Sequence, residues 1–103
     1  ALPISIAVSV HAFDNIKDEK TVRQGIEILT RNGVKKDNLM FYVLIGFNST
    51  PEEDLHRVEV LRGLNVMPFV MPFNKSDDYQ RRFARWVNHK AIFKSTSWQD
   101  YKG

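Results

Sequence analysis

Three polar stretches follow apolar runs in this chain, and each carries side chains that could do chemistry. The first, Ser9-Val10-His11-Ala12-Phe13-Asp14-Asn15, offers a hydroxyl, an imidazole and a carboxylate close together. His11 and Asp14 could act as a general-base pair, the carboxylate orienting the ring. An imidazole at a strand end also serves simply as a hydrogen-bonding group for its neighbours, and Asp14-Asn15 suits an Asx turn. The second, Gly46-Phe47-Asn48-Ser49, sets a residue without a side chain beside an amide. Such a glycine leaves the backbone bare for close approach, and a tight turn asks for the same residue. The third, Pro72-Phe73-Asn74-Lys75, adds an amide and an ammonium. Asn48 and Asn74 are also good turn formers. The chain has no Ser-His-Asp order, no phosphate loop with Gly-Lys-Ser/Thr and no metal-spaced His/Asp cluster. It has no cysteine, which excludes disulfides, thiolate-held zinc and any iron–sulfur cluster ligated from within it. No catalytic residue and no metal ligand is assigned.

The elements around these stretches explain their placing. Ile4 to Val10 is rich in β-branched residues and reads as a strand, with His11 to Asn15 as the loop after it. Asp18 is positioned to cap a helix whose apolar face is Val22, Ile26 and Leu29, and Asn32-Gly33 closes that helix. Leu39 to Ile45 is apolar at every position, which predicts a strand covered on both faces. Thr50-Pro51-Glu52-Glu53 has the form of a capping box with proline in the first turn, and Leu55, Val58 and Leu61 follow as a buried stripe. Gly63 or Asn65 ends this second helix. Val66 to Phe73 is a third strand, short or at an edge because Pro68 and Pro72 donate nothing to a ladder. Ser76-Asp77 caps a last helix with Tyr79, Phe83, Trp86 and Val87 on its apolar face. Ser95-Thr96-Ser97 breaks it, and Trp98 and Tyr101 fold back onto the body. The order is β-α-β-α-β-α, an α/β fold of three consecutive βα units on a parallel sheet. Residues 1–103 form one domain, too short for a closed (β/α)₈ barrel. In parallel α/β sheets ligands gather at the carboxyl ends of the strands, where all three polar stretches fall.

Composition narrows the partners. A formal charge of +3 and a hydrophobic content of 43% suit an ordinary globular domain. The basic run Arg81-Arg82-Phe83-Ala84-Arg85-Trp86-Val87-Asn88-His89-Lys90 has aromatics interleaved and could hold phosphates, making nucleic acid a possible partner. Amphipathicity alone predicts the same pattern, with the basic residues on the solvated face, and that reading is preferred. No apolar run approaches the length of a membrane span, and Ala1 to Val10 lacks the basic flank of a signal peptide. The expected location is cytoplasmic, with no membrane partner.

Ser-Val-His-Ala at 9–12 resembles the Ser-Leu-His-Ala stretch of radical S-adenosylmethionine (SAM) RNA methyltransferases. Tyr-Val-Leu-Ile-Gly-Phe-Asn at 42–48, with Thr-Pro-Glu-Glu-Asp after it, looks like the fifth-strand motif of the wider radical SAM superfamily. Val-Met-Pro-Phe-Asn at 70–74 is similar to the end of that superfamily's sixth strand. The segment from Ala12-Phe13-Asp14 to Phe-Ala-Arg-Trp-Val-Asn at 83–88 also looks like radical SAM proteins of bacteria and phages. The resemblance implies the fourth to sixth βα units of a partial (β/α)₆ barrel, its C-terminal half. It assigns Ser9, Val10 and His11 to the ribose and methionine parts of SAM. It sets Leu44 and Gly46 beside the adenine, and Met71 and Asn74 at the far side. The Cys-x₃-Cys-x₂-Cys loop that binds the [4Fe–4S] cluster belongs to the family's first unit, and this chain lacks it, together with the Gly-Gly-Glu-type motif. Ser49 stands where the fifth-strand motif often has an acid.

The leading expectation is therefore a part of a radical SAM enzyme that supplies the adenine and ribose side of the SAM site and is inactive alone. Its partner would be the N-terminal half-barrel carrying the cluster; its substrate is undefined. A second expectation is a non-catalytic α/β module that assembles through its open sheet edges, for instance as a homodimer. RNA binding through the basic run is a third.

Overall fold

A computed structural model of the chain describes residues 9–102. Three parallel strands, β1 (Ser9–Ala12), β2 (Leu39–Ile45) and β3 (Met67–Pro72), form a sheet in the order β1-β2-β3. Helix α1 (Glu19–Arg31) joins the first two strands and α2 (Pro51–Gly63) the second and third. Helices α3 (Asp78–Asn88) and α4 (Lys90–Ser95) follow. This is the α/β architecture of three βα units. The part of the first strand expected before Ser9 lies outside the described residues. At its other end the strand runs on through His11 and Ala12, which the sequence reading assigned to a loop.

Sequential strand order with right-handed crossovers sends every connecting helix to the same face of the sheet. The burial pattern agrees. Along β2, Leu39, Phe41, Val43 and Ile45 are buried, and Met40, Tyr42 and Leu44 between them are exposed or half-buried. The expectation that β2 is covered on both faces is thus corrected. The helices cover one face, and the apolar residues of the other face meet solvent. Register carries the alternation across the sheet, pairing Val10 with Met40, Tyr42 with Phe69, and Leu44 with Met71 on the open face. Val10, Tyr42, Phe69 and Met71 are all exposed there, and Tyr42 and Phe69 meet edge to face at 5.7 Å.

The caps are where local chemistry decides. Thr50 and Glu53 form the reciprocal capping box expected of α2, with Pro51 in the first turn. Asp77 caps α3 by accepting from Gln80 N. Asp18 precedes α1 without capping it. The chain enters that helix through a 3₁₀ turn, Ile16–Asp18, and Asn15 caps the turn by accepting from Lys17 N. Gly33 closes α1 at φ 95°. The last helix expected from sequence is two helices, because His89 leaves the α region (ψ 99°) and caps α4. Behind them, Phe83, Trp86, Phe93, Trp98 and Tyr101 pack ring against ring, most pairs edge to face. The C-terminal segment folds back as expected.

Candidate functional site

The carboxyl edge of the sheet holds a buried polar network. Asp54 and Arg57 both lie on α2 and are essentially inaccessible to solvent, with Arg57 Nη2 2.6 Å from Asp54 Oδ1. A charge pair without water is tolerable only when its remaining lone pairs and protons find partners. Arg57 Nη1 donates to the carbonyl of Phe13 at 2.8 Å, and Nη2 also donates to the carbonyl of Leu44 at 2.9 Å. One guanidinium thereby serves carbonyls at the carboxyl ends of β1 and β2, where the strand ladder stops supplying donors. Asp54 accepts from Ser49 Oγ at 2.6 Å and from the Tyr79 hydroxyl at 2.8 Å. Burial, and then the hydrogen bond to Asp54, push the Tyr79 phenol well above its ordinary pKa. Arg57 Nε is buried and has no partner among the described residues.

Sequence reasoning missed this network. It assigned no role to Asp54 or to Arg57. The signal was spacing: Asp54, Arg57, Val58 and Leu61 share one helical face, so an apolar stripe through Val58 and Leu61 takes the ion pair inward with it. Ser49 gains a physical reason as well. An acidic residue there would set a second carboxylate against Asp54, whereas the serine donates to it.

The strand ends gather around this network, and they divide the residues named from sequence. Val10, Leu44 and Met71 lie on the open face. His11 lies on the covered face, stacked on Phe41 with ring centroids 5.2 Å apart. Ser9 pairs with Leu39 at the start of β1. Asp14 Oδ1 accepts from Leu44 N, which pins the loop after β1 onto β2. Gly46 adopts φ 80°, and a Cβ there would fall inside the side-chain amide of Gln80. The group that approaches its bare backbone is thus a residue of α3. Gln80 Oε1 in turn accepts from Asn74 N, and Asn74 Oδ1 accepts from Ser76 N. Gly46 and Asn74 are therefore joined through Gln80. Beyond them Phe47 and Phe73, just past the ends of β2 and β3, are exposed with ring centroids 4.8 Å apart.

The basic run divides too. Phe83, Trp86 and Val87 are fully buried core residues, as amphipathicity predicts. Arg81 pairs with Asp78, Arg82 lies over the Trp98 ring, and His89 caps α4. Among the described residues no group of three or more His, Cys, Asp or Glu side chains could hold a metal, and no helix is long and apolar enough to cross a membrane. No family model, no curated protein and no solved structure matches the chain.

Proposed function

We propose that this chain supplies one wall of a SAM site, on the adenine and ribose side, within a radical SAM-type barrel. The observation that supports it is the open sheet face, which carries Leu44 and Met71 side by side near the carboxyl ends of β2 and β3; Val10 shares that face but pairs with Met40, four residues before Leu44 along β2. In a partial barrel that face is the interior, and the carboxyl ends are where ligands bind. The fit differs from residue to residue. Leu44 and Met71 are register partners and present an apolar shelf suited to a planar heteroaromatic ring. Phe47 and Phe73 follow just past the strand ends. Gly46 acts through Gln80, shaping the turn beside that shelf. His11, on the covered face, packs against Phe41 and positions β1. The chain has no thiolate to offer a [4Fe–4S] cluster, so those ligands would come from another part of the barrel. Bound SAM next to such a cluster supplies radical chemistry; this chain's own residues would orient the nucleoside and keep water from it.

The test is equilibrium binding of labelled SAM to a polypeptide in which this chain follows βα units carrying a Cys-x₃-Cys-x₂-Cys loop. Saturable binding that Met71→Asp weakens supports the reading. Absence of saturable binding overturns it.

The same face favours a second reading, a module that assembles with another copy of itself. Exposed Val10, Tyr42, Phe69 and Met71 form an apolar surface of the kind that marks an interaction site. A strictly monomeric chain in sedimentation at high concentration would exclude it.

A further inference from the structure

We infer that the amino-terminal end of the sheet carries a separate binding site for a small organic phosphate. A cavity of about 680 Å³ opens there, at the end opposite to the strand ends described above. Its floor is apolar, with Leu39 and Met40 at the start of β2 and Val66 and Met67 at the start of β3. Its rim is cationic. Lys36 comes from the 3₁₀ turn before β2, Lys90 and Lys94 from α4, and Arg62 from the last turn of α2.

Arg62 is held in place. Glu59 takes its Nε and Nη2 at 2.9 and 2.7 Å, the Phe93 carbonyl takes Nη1, and the guanidinium lies over the Phe93 ring 4.5 Å from its centre. Glu59 neutralises it, and Asp37 is the one acid in the lining. The three lysines therefore outweigh the acids at the rim. None of the three makes an ion pair among the described residues. Lys90 and Lys94 stand one turn apart on a helix of six residues. Like charges at that spacing destabilise a helix, and one so short has little stability of its own to offset them. A bound anion reverses the sign of that contribution.

Size and lining identify the ligand class. Phosphate or pyrophosphate alone would leave most of the cavity empty, whereas the volume is that of a site for a small organic molecule. The lysines would hold the phosphates as point charges. The apolar floor would take a base or another flat apolar group, and Asn65, at φ 60° in the turn before β3, offers an amide beside it.

The test is calorimetric titration of the chain with ATP, and separately with tripolyphosphate and an RNA oligomer, at low and at high salt. Saturable ATP binding is expected, tighter than tripolyphosphate and weaker at high salt. Lys90→Ala with Lys94→Ala should weaken it about tenfold or more, and Lys36→Ala alone by severalfold, since a charge-assisted hydrogen bond commonly contributes this much. Lys90→Arg with Lys94→Arg should retain most of the affinity, and Lys17→Ala should leave it unchanged. All these side chains are exposed, so the variants should keep the parent's circular dichroism. The inference is overturned if ATP gives no saturable signal, or if both lysine variants bind as the parent does. Equal affinity for tripolyphosphate overturns the organic part of the ligand, and stronger binding of the RNA oligomer overturns the small-molecule class.

Discussion

Replacing Arg57 by methionine removes the guanidinium and keeps most of the side-chain volume. Three consequences follow at once. The Asp54 carboxylate stays buried with only the Ser49 and Tyr79 hydroxyls to face it, and the carbonyls of Phe13 and Leu44 lose their donor. Breaking a buried pair by removing one partner costs about 3–5 kcal/mol. A domain of this length has a total stability of roughly 5–15 kcal/mol, so the variant should sit near the edge of folding. The assay is urea unfolding, followed through the fluorescence of Trp86 and Trp98. With about 2 kcal/mol per molar urea for a small protein, the midpoint should fall by about 2 M. Adding Asp54→Leu to Arg57→Met removes the orphaned charge as well. The double variant should be less destabilised than the sum of the two single changes by roughly 2 kcal/mol. A midpoint shift under about 0.5 M for Arg57→Met, or strictly additive single changes, would refute the claim that this pair ties α2 to the ends of β1 and β2.

Gly46→Ala should cost about 2–4 kcal/mol in the same assay, because φ 80° strains any L side chain and the new methyl displaces Gln80 from Asn74 N. Adding Gln80→Ala should return part of that loss; no recovery would mean that strain alone sets the cost. Tyr79 carries a raised pKa, so its protonated form contributes stability that is whole below about pH 10, the ordinary tyrosine value, and is lost as pH rises beyond it. Tyr79→Phe should therefore flatten the alkaline limb of stability against pH while lowering the neutral plateau by about 1.5–3 kcal/mol for the lost bond to Asp54. Tyr42→Lys with Phe69→Glu should cost no more than about 1.5 kcal/mol, the worth of an aromatic pair, since both rings are already exposed. Sedimentation should show any self-association of the parent chain abolished in that variant; an unchanged association would move the interface to the sheet edges.

The alternation of elements was legible in the sequence because each boundary has its own local chemistry. The Thr50–Glu53 box, Gly33 and Asp77 do in the structure what short-range rules require of them. The exceptions share a cause. Asp18 does not cap α1, because Asn15 first winds a 3₁₀ turn that leaves Asp18 near the helical region at φ −87°, ψ 2°. His89 divides the last helix by capping its second part. Periodicity found the apolar stripe of α2 and passed over the ion pair within it, since polar residues on a buried face look like solvent-facing ones until the neighbouring strand ends are in place. The face of β2 that meets solvent was misread for the opposite reason. An apolar run states which residues avoid water, and strand order determines how many faces the helices can cover.

That difference bears on where the chain looks for a partner. At the carboxyl edge the polar groups answer one another: Asp54 has three donors, Arg57 three acceptors, and the turn at Gly46 is filled by Gln80. Apart from Arg57 Nε, the polar side-chain atoms of this pair are satisfied from within the chain, which suits a wall that positions a ligand more than a group that reacts with one. The open face is the reverse. Every strand residue on it from Val10 to Met71 is apolar, and the apolar surface left in water carries a cost of about 25 cal/mol for each Å². A partner or ligand that covers this face gains that free energy without disturbing a single hydrogen bond of the edge above it. Binding at the open face should therefore raise the unfolding midpoint of the whole domain, and raise it equally in the Lys90→Ala, Lys94→Ala variant. A ligand of the basic cavity should stabilise the parent and lose that effect in the same variant. Thermal unfolding of the two proteins side by side thus separates the two surfaces. A ligand whose stabilisation is lost in the lysine variant does not act through the open face, whatever its chemistry.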